Sequence, residues 1–356
     1  MKTNILFLLP YPLNKAPSQR FRIECYFELL KENGIYFEHH SFFNDTGWQI
    51  LYQGGSSIKK LIAVCNGFMG RLFCILRAGK YDFIVIHREA APLGPPVIEW
   101  ILAKILRKKL IYDFDDAIWI PAITETNKIA RYLKCFWKVG YICKWSWKIS
   151  AGNKFLSSWA EKYSRQVKLN PTCVDMDKKF NQVKEQHTSK VTIGWTGSHS
   201  TLKYLNIIYP VLQELEKERE FEFIVICNKP PEFRLTSLRF IKWQEVSEIE
   251  DLLQMNIGIM PLIEDAWSEG KCGFKLIQYL SLGIPAVASP IGVNKQIIED
   301  GINGRLCSTS EEWKKALTEL LDDAELRMQL GTRGLVKMNQ QYSIQANAKN
   351  FISLFS

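Results

Sequence analysis

Histidine is scarce in this chain, five in 356 residues, and no two have the spacing of a metal-ligand pair. His39 and His40 are neighbours and should point apart on a strand. No Cys-x-x-Cys pair occurs, and the nine cysteines are odd in number. That argues against a disulfide frame or a zinc site and reads as scattered reduced thiols of a cytosolic protein. We therefore expect no metal. No apolar run approaches the length of a membrane span. The opening run Ile5 to Leu9 is too short for a signal-peptide core, and Pro10 follows without a small-residue cleavage site, so it reads as a first buried strand. Nucleic-acid-binding motifs are missing as well, and no nucleic-acid partner is expected.

What is there fits two ordinary domains. The chain is 47% hydrophobic and 23% charged, a balance that excludes disorder. Its net charge of +9 asks for an anionic partner, a nucleic acid, a phosphorylated ligand or a membrane surface, and composition does not choose among them.

The most informative stretch runs from Glu269 to Ser289. Ile257 to Leu262 reads as a buried strand. A polar turn with Gly270 and Gly273 follows, then a helix stopped by Gly283 and Pro285, then the strand Ala286-Val287-Ala288. Lys271, Lys275 and Gln278 are spaced i, i+4, i+7, so Lys275 and Gln278 share a helix face and Lys271 lies in the turn before it. A helix N-terminus presents free N–H groups and partial positive charge, and two lysines beside it make an anion site suited to phosphate. A surface turn with solvated lysines is the bland alternative.

Strands alternate with helices through both halves. In the first, strands are expected at Ile5–Leu9, Ile35–His40, Phe83–His87 and Leu110–Tyr112. Helices are expected at Gln19–Glu32, Ser56–Leu76, Pro95–Arg107 and Glu125–Lys148, and a strand with a short helix around Phe155–Ser164. Val167 begins a strand into a crossing segment, with a boundary near Pro171. In the second half, Val191–Trp195, Phe223–Cys227 and Phe240–Trp243 are strands, and three helices close the chain. The pattern implies two doubly wound α/β sheets with ligand loops at the carboxyl ends of strands, collected by a cleft between the domains.

In this order and spacing the chain resembles the retaining glycosyltransferases of the GT-B fold, family 4 (glycosyl transferases group 1). The resemblance rests on Pro17-Ser18-Gln19-Arg20-Phe21-Arg22, His87-Arg88-Glu89-Ala90-Ala91-Pro92-Leu93-Gly94-Pro95 and Tyr112-Asp113-Phe114-Asp115-Asp116-Ala117-Ile118-Trp119 in the first half. In the second it rests on Gly194-Trp195-Thr196-Gly197-Ser198, Lys271-Cys272-Gly273-Phe274-Lys275 and Gly283 to Gly292. It implies two Rossmann-like domains. Residues 1–170 would bind the acceptor, residues 171–339 the nucleotide-diphosphate sugar, and the helix at about 340–356 would pack back on the first. Donor contacts would come from Gly197, Ser198, Lys271, Cys272, Gly273, Phe274, Lys275 and Gln278. Lys271, Lys275 and Glu269 would act in catalysis, without metal or cofactor. The resemblance departs at two glutamates eight positions apart. The second falls on Gln278, and the first on Gly270 with Glu269 one place early. The arginine usual after the first strand of this domain is also missing, with Trp195 near its place.

On the acceptor side the candidates are Ser18, Arg20, Arg22, Glu89, Asp115 and Asp116. Asp113, Asp115 and Asp116 crowd one strand end, where one of Asp115 or Asp116 is expected to face the cleft and the others to be structural. Arg20 and Arg22 could hold an acceptor phosphate, pair with these carboxylates, or be solvated charge. Lys128 to Lys148 and Ser56 to Arg77 mix basic residues with apolar or aromatic ones and no acid. They read as helices on an anionic membrane surface, or as buried helices whose lysines reach out. The function expected is sugar transfer from a nucleotide-diphosphate sugar to a glycan or lipid-linked acceptor in cell-surface polysaccharide synthesis. The protein would be a monomer or weak dimer, cytoplasmic and peripheral at the inner face of the membrane. A sugar-nucleotide epimerase of the same fold and an inactive sugar-nucleotide or membrane binder are the alternatives.

Overall fold

The computed structural model describes residues 3–51, 55, 57–121 and 133–356. It divides into two compact units, residues 1–172 with 347–356, and residues 173–346. Each is built on a six-stranded, all-parallel sheet.

The first unit contains β1 (Asn4–Leu9), β2 (Tyr36–Ser41), β3 (Phe83–His87), β4 (Lys109–Phe114), β5 (Lys148–Ala151) and β6 (Val167–Leu169), ordered β2-β1-β3-β4-β5-β6. β3 is buried along its whole length, as a central parallel strand covered on both faces must be. The strand order reverses between β1 and β3, and such a sheet opens a ligand crevice at the carboxyl ends of those two strands. The segment after β1 and the end of β3 therefore meet there.

Several helices differ from the sequence expectation; Pro95–Arg107 narrows to an α-helix at Val97–Trp100 that continues as a π-helix over Ile101–Ile105. Gln19–Glu32 is not one helix. Pro17–Arg22 is a short helix with proline in its first turn, Glu24–Tyr26 is a 3₁₀ turn, and Phe27–Glu32 resumes the α-helix. The break at Ile23 accompanies two inward side chains, a fully buried Arg22 and a Tyr26 stacked on Phe351 at 3.9 Å. The expected helix Glu125–Lys148 lies partly outside the described residues. Among the described residues, helix covers Leu133 and Lys138–Trp145 with a turn between them, and Lys148 opens β5 instead. β5 is a polar-looking strand whose Lys148 ammonium donates to the carbonyls of Ser353 and Ser356. Those tertiary contacts offset what the residue sequence alone says against a strand. Likewise Phe155–Ser164 contributes the helix Lys154–Ala160, capped by Asn153, and no strand.

The second unit contains β7 (Thr192–Gly197), β8 (Glu222–Cys227), β9 (Leu238–Lys242), β10 (Ile257–Met260), β11 (Ala286–Ala288) and β12 (Gly304–Leu306). Their order is β12-β11-β10-β7-β8-β9. The reversal falls between β7 and β10, so the segments that follow these two strands share the crevice. Trp195, Phe223, Ile257, Trp313 and Leu317 belong to the apolar core beneath it. The helix Ser310–Asp322 starts with a capping box between Thr309 and Glu312, which satisfies two otherwise unpaired N–H groups.

Candidate functional site

In the second unit, β10 leads to a short helix, Ala266–Glu269, capped by Asp265, and a turn then enters the helix Phe274–Ser281. Gly273 makes that entry with φ 66°, a left-handed conformation that favours glycine. A Cβ there would stand 2.2 Å from Ile297 Cδ1, so the turn also needs the missing side chain for space. The helix ends at Gly283, also left-handed, with Ile284 N–H donating to the Tyr279 carbonyl and Gly283 N–H to that of Leu280. Tyr279 is fully buried and ties the helix to the sheet: its hydroxyl accepts from Thr196 N–H at 2.9 Å. Burial pushes that hydroxyl's pKa up, so it stays neutral.

This framework brings Gly197 and Lys275 together. A Cβ on Gly197 would lie 2.9 Å from Lys275 Cε, so the lysine stem crosses the open face of the glycine. Lys275 Nζ sits 5.4 Å from the ring centre of Trp195, and Lys271 Nζ lies 5.7 Å from that of Trp267 and 6.0 Å from that of Tyr204. Aromatic faces thus steer both ammonium groups beside the helix N-terminus. Glu269 closes the short helix that carries Trp267. Cys272 is buried, Phe274 half-buried, and Ser198 exposed, its hydroxyl 2.9 Å from that of Ser200.

Gln278 behaves differently. It is buried, and its amide donates to Glu248 Oε1 at 3.5 Å. Glu248 is buried too, 3.0 Å from Lys179 Nζ, and accepts from Trp243 Nε1 at 3.4 Å. A carboxylate therefore stands beside Gln278, supplied from thirty residues upstream. The sequence carries no local signal for that pairing.

In the first unit the crevice holds a connected polar chain. His87 ends β3, and its Nδ1 is 2.8 Å from Asp113 Oδ2, on β4. Its Nε2 is 2.9 Å from Ser18 Oγ, and Ser18 Oγ is 2.7 Å from Asp115 Oδ1. His87 and Asp113 are buried, while Ser18, Asp115 and Asp116 are half-buried. Arg22 backs the chain, donating to Asp113, the Asn170 carbonyl and Ser150 Oγ. Burial raises the Asp113 pKa, but the Arg22 guanidinium and the His87 hydrogen bond outweigh it and hold the carboxyl well below the usual range.

Arg88 adopts a left-handed φ of 63°, uncommon for a non-glycine residue. Its guanidinium lies 3.2 Å from Asp116 and 3.5 Å from Asp115. Burial opposes its charge, but these carboxylates outweigh burial and raise its pKa above the ordinary value. Of the acceptor-side candidates, Ser18 and Asp115 touch directly, and Arg88 gathers Asp116 to Asp115. Arg22 is fully buried behind them on Asp113. Arg20 lies against the ring of Phe21 at 4.9 Å, and Glu89 turns to Lys138 at 2.9 Å. His87 and Arg88 join this cluster though neither is among the sequence-derived acceptor-side candidates; the available signal was a histidine closing an otherwise apolar strand.

Residues 190–323 match the family model described as Glycosyl transferases group 1. The sequence matches none of the curated proteins. Among solved structures, sucrose-phosphate synthase from Thermosynechococcus elongatus superposes with TM-score 0.70 at 10% identity, over 100% of this chain and 98% of that one. A glycosyltransferase from Rickettsia africae gives 0.69 at 15% identity, over 99% and 98%. Anabaena HepE in complex with UDP and glucose gives 0.67 at 13% identity, over 99% of each chain. The chain thus has the GT-B fold, and the segment carrying Gly197, Lys271 and Lys275 is the one that matches the group 1 glycosyltransferases.

Proposed function

We propose that the protein is a retaining, metal-independent glycosyltransferase that moves a sugar from a nucleotide-diphosphate sugar to a glycan or lipid-linked acceptor. In this reading the second unit holds the donor and the first the acceptor. The observation that carries it is the meeting of Gly197 and Lys275 at the N-terminus of Phe274–Ser281, where β7 and β10 diverge. Backbone N–H groups, the helix dipole and two lysines converge there, the arrangement a departing diphosphate requires. They supply positive charge that in other enzymes comes from a metal. Ser198, Cys272 and Phe274 line the approach to the same helix end, and Glu269 reaches the sugar. The ribose hydroxyls bind Gln278, with Glu248 supplying the charge that a glutamine lacks. HepE was solved with UDP and with UDP-glucose, which makes uridine the first nucleotide to try.

Thermal shift with UDP, UDP-glucose and the other nucleoside diphosphates tests this. A ligand at a hundred times its Kd stabilises the native state by about 2.7 kcal/mol. If none of them raises the melting temperature, the reading fails.

A second observation supports work at a membrane surface. The helix Ser57–Leu76 carries no acidic residue. Ile58, Leu61, Ile62, Met69, Leu72, Phe73 and Leu76 are all exposed. At 100° per residue these positions fall on one stripe, opposite the buried Gly67, Arg71 and Cys74. Among the described residues no helix is long and apolar enough to cross a bilayer. In this reading the helix lies in the interface of an anionic bilayer, with Lys59 at the edge of its apolar stripe. In the other basic stretch, Lys128, Arg131 and Tyr132 lie outside the described residues. Lys138 points inward, donating to the Ala91 carbonyl at 2.8 Å, so the long helix carries the membrane reading.

A further inference from the structure

The outer layer of the first unit carries a feature that sugar-nucleotide binding does not use. The crossovers from β2 to β3, β3 to β4, β4 to β5 and β5 to β6 all step the same way across the sheet. Right-handed connections therefore place the helices Ser57–Leu76, Val97–Trp100, Lys138–Trp145 and Lys154–Ala160 on one face. Val97–Trp100 packs against both Ser57–Leu76 and Lys138–Trp145. Most of the exposed large apolar side chains among the described residues belong to this layer. One such residue needs no explanation, but a gathering of them marks a contact surface. A cleft of about 560 Å³, the size of a small-molecule site, opens in the layer. Trp137, Gly140, Tyr141 and Lys144 line it at i, i+3, i+4 and i+7, one face of a helix. Trp119, Trp159 and Tyr163 line it from other segments. Trp119 stacks on Trp159 at 3.8 Å, and Tyr163 leans on Trp159 at 4.8 Å. A Cβ on Gly140 would stand 2.8 Å from Tyr163 Cε1, so the glycine lets that ring close against the helix. Trp137 and Tyr141 are still 57% and 50% exposed.

The lining selects its occupant. A sugar carries a hydroxyl on nearly every carbon, and burying those calls for carboxylate, amide or guanidinium partners. The described lining residues include none, and Lys144 is their one charged group. Rings with a polar edge beside a lysine are instead the side chains found where a bilayer meets water. We propose that this cleft holds the aliphatic chain of a lipid-linked acceptor. The proposal rests on the reading of the first unit as the acceptor domain, and it chooses a lipid-linked acceptor over a free glycan. Position supports it. A crossover helix in a parallel sheet runs back from the carboxyl ends of the strands, so Trp137 stands at the crevice end of Lys138–Trp145 and Lys144 at the far end. Trp119 follows Asp116 by three residues, a reach of at most about 11 Å. The chain therefore starts beside the crevice, where the headgroup belongs, and runs along the helix toward Lys144. There the lysine stem lies along the chain and its ammonium meets the phosphates of an anionic bilayer. The exposed stripe of Ser57–Leu76 belongs to the same layer, so a protein resting on that stripe turns the cleft to the lipid.

The test is calorimetric titration with octyl, decyl and dodecyl glucoside, each below its micelle-forming concentration, and with glucose and maltose as probes without a chain. Each methylene buried should raise affinity about three- to fourfold, so every two carbons give roughly tenfold. The free sugars should show no binding. Trp137→Ala with Tyr141→Ala changes only exposed positions and should weaken dodecyl glucoside at least about tenfold. The same variant should keep the wild-type melting shift with UDP, which reports on the second unit. Ile62→Asp with Leu72→Asp, on the stripe outside the cleft, should hold dodecyl glucoside affinity within about twofold. Affinity that does not rise with chain length overturns the proposal, and so does maltose binding as tightly as dodecyl glucoside, which marks a sugar platform. Binding lost in the Ile62 and Leu72 variant but kept in the Trp137 and Tyr141 variant overturns it too, since the chain then lies on the stripe. A protein that binds the chain in the cleft, but whose melting no nucleoside diphosphate shifts, fails the glycosyltransferase reading instead, and the lipid site stands.

Discussion

Gly273→Ala separates the backbone argument from the charge argument at the donor site. Alanine at φ 66° costs about 1–2 kcal/mol in the left-handed region. Its Cβ would also stand 2.2 Å from Ile297 Cδ1 and 3.0 Å from Val293 Cγ1. Relieving such overpacking typically costs a further ~1–3 kcal/mol. The sum, about 2–5 kcal/mol, lowers the melting temperature by roughly 4–20 °C in a unit of this size. The strain is relieved by moving the helix N-terminus, so UDP affinity should fall at least about tenfold, a loss of 1.4 kcal/mol. Gly301→Ala is the control. Its φ is 73°, and its Cβ would meet only the flexible end of Arg305, at 3.2 Å. It should show the backbone cost alone and keep UDP affinity. Melting curves and UDP titrations of both variants decide the matter. Equal destabilisation of the two, or wild-type UDP affinity in Gly273→Ala, refutes the steric account.

Three other outcomes follow from the same geometry. Lys275→Ala should lower turnover by roughly a hundredfold or more, the loss of one contact to a developing oxyanion, measured as UDP release; unchanged turnover removes the lysine from the reaction. Asp113→Asn strands the buried Arg22 charge and should cost about 3–5 kcal/mol in denaturant unfolding. In the wild type the Asp113 pKa is depressed on folding, so its contribution is fully present above the ordinary carboxylate range and is lost as pH falls through and below it. Asp113→Asn should therefore flatten the acid limb of the stability profile, and an identical limb in the variant contradicts the assignment. Finally, Ile62→Asp with Leu72→Asp should abolish flotation with phosphatidylglycerol vesicles, since each apolar side chain contributes about 1.5–3 kcal/mol when buried; unaltered flotation of the double variant rules this helix out as the anchor.

Much of the architecture was legible from residue order. β3, β8 and β10 are short apolar runs between turn residues, and their burial follows from composition. The helix Phe274–Ser281 could be placed because Gly273, Gly283 and Pro285 punctuate it locally. β5 was hidden, because Lys148 and Ser150 look like surface residues until Ser353, Ser356 and Asp113 are brought to them. The helix after β1 was drawn too long, because nothing near Arg22 in sequence announces a carboxylate 91 positions away.

The alternation of strand and helix, the glycine-bounded turn and the two lysines beside a helix start were settled by the residues themselves, because each depends on neighbours within a few positions. Which of three crowded aspartates is buried, that Gln278 faces Glu248, and that His87 links Ser18 to Asp113 were decided only by the tertiary fold. Those choices turn on pairing buried polar atoms. A buried donor or acceptor must find a partner wherever the sheet order brings one, and strand order is set by packing rather than by proximity along the chain.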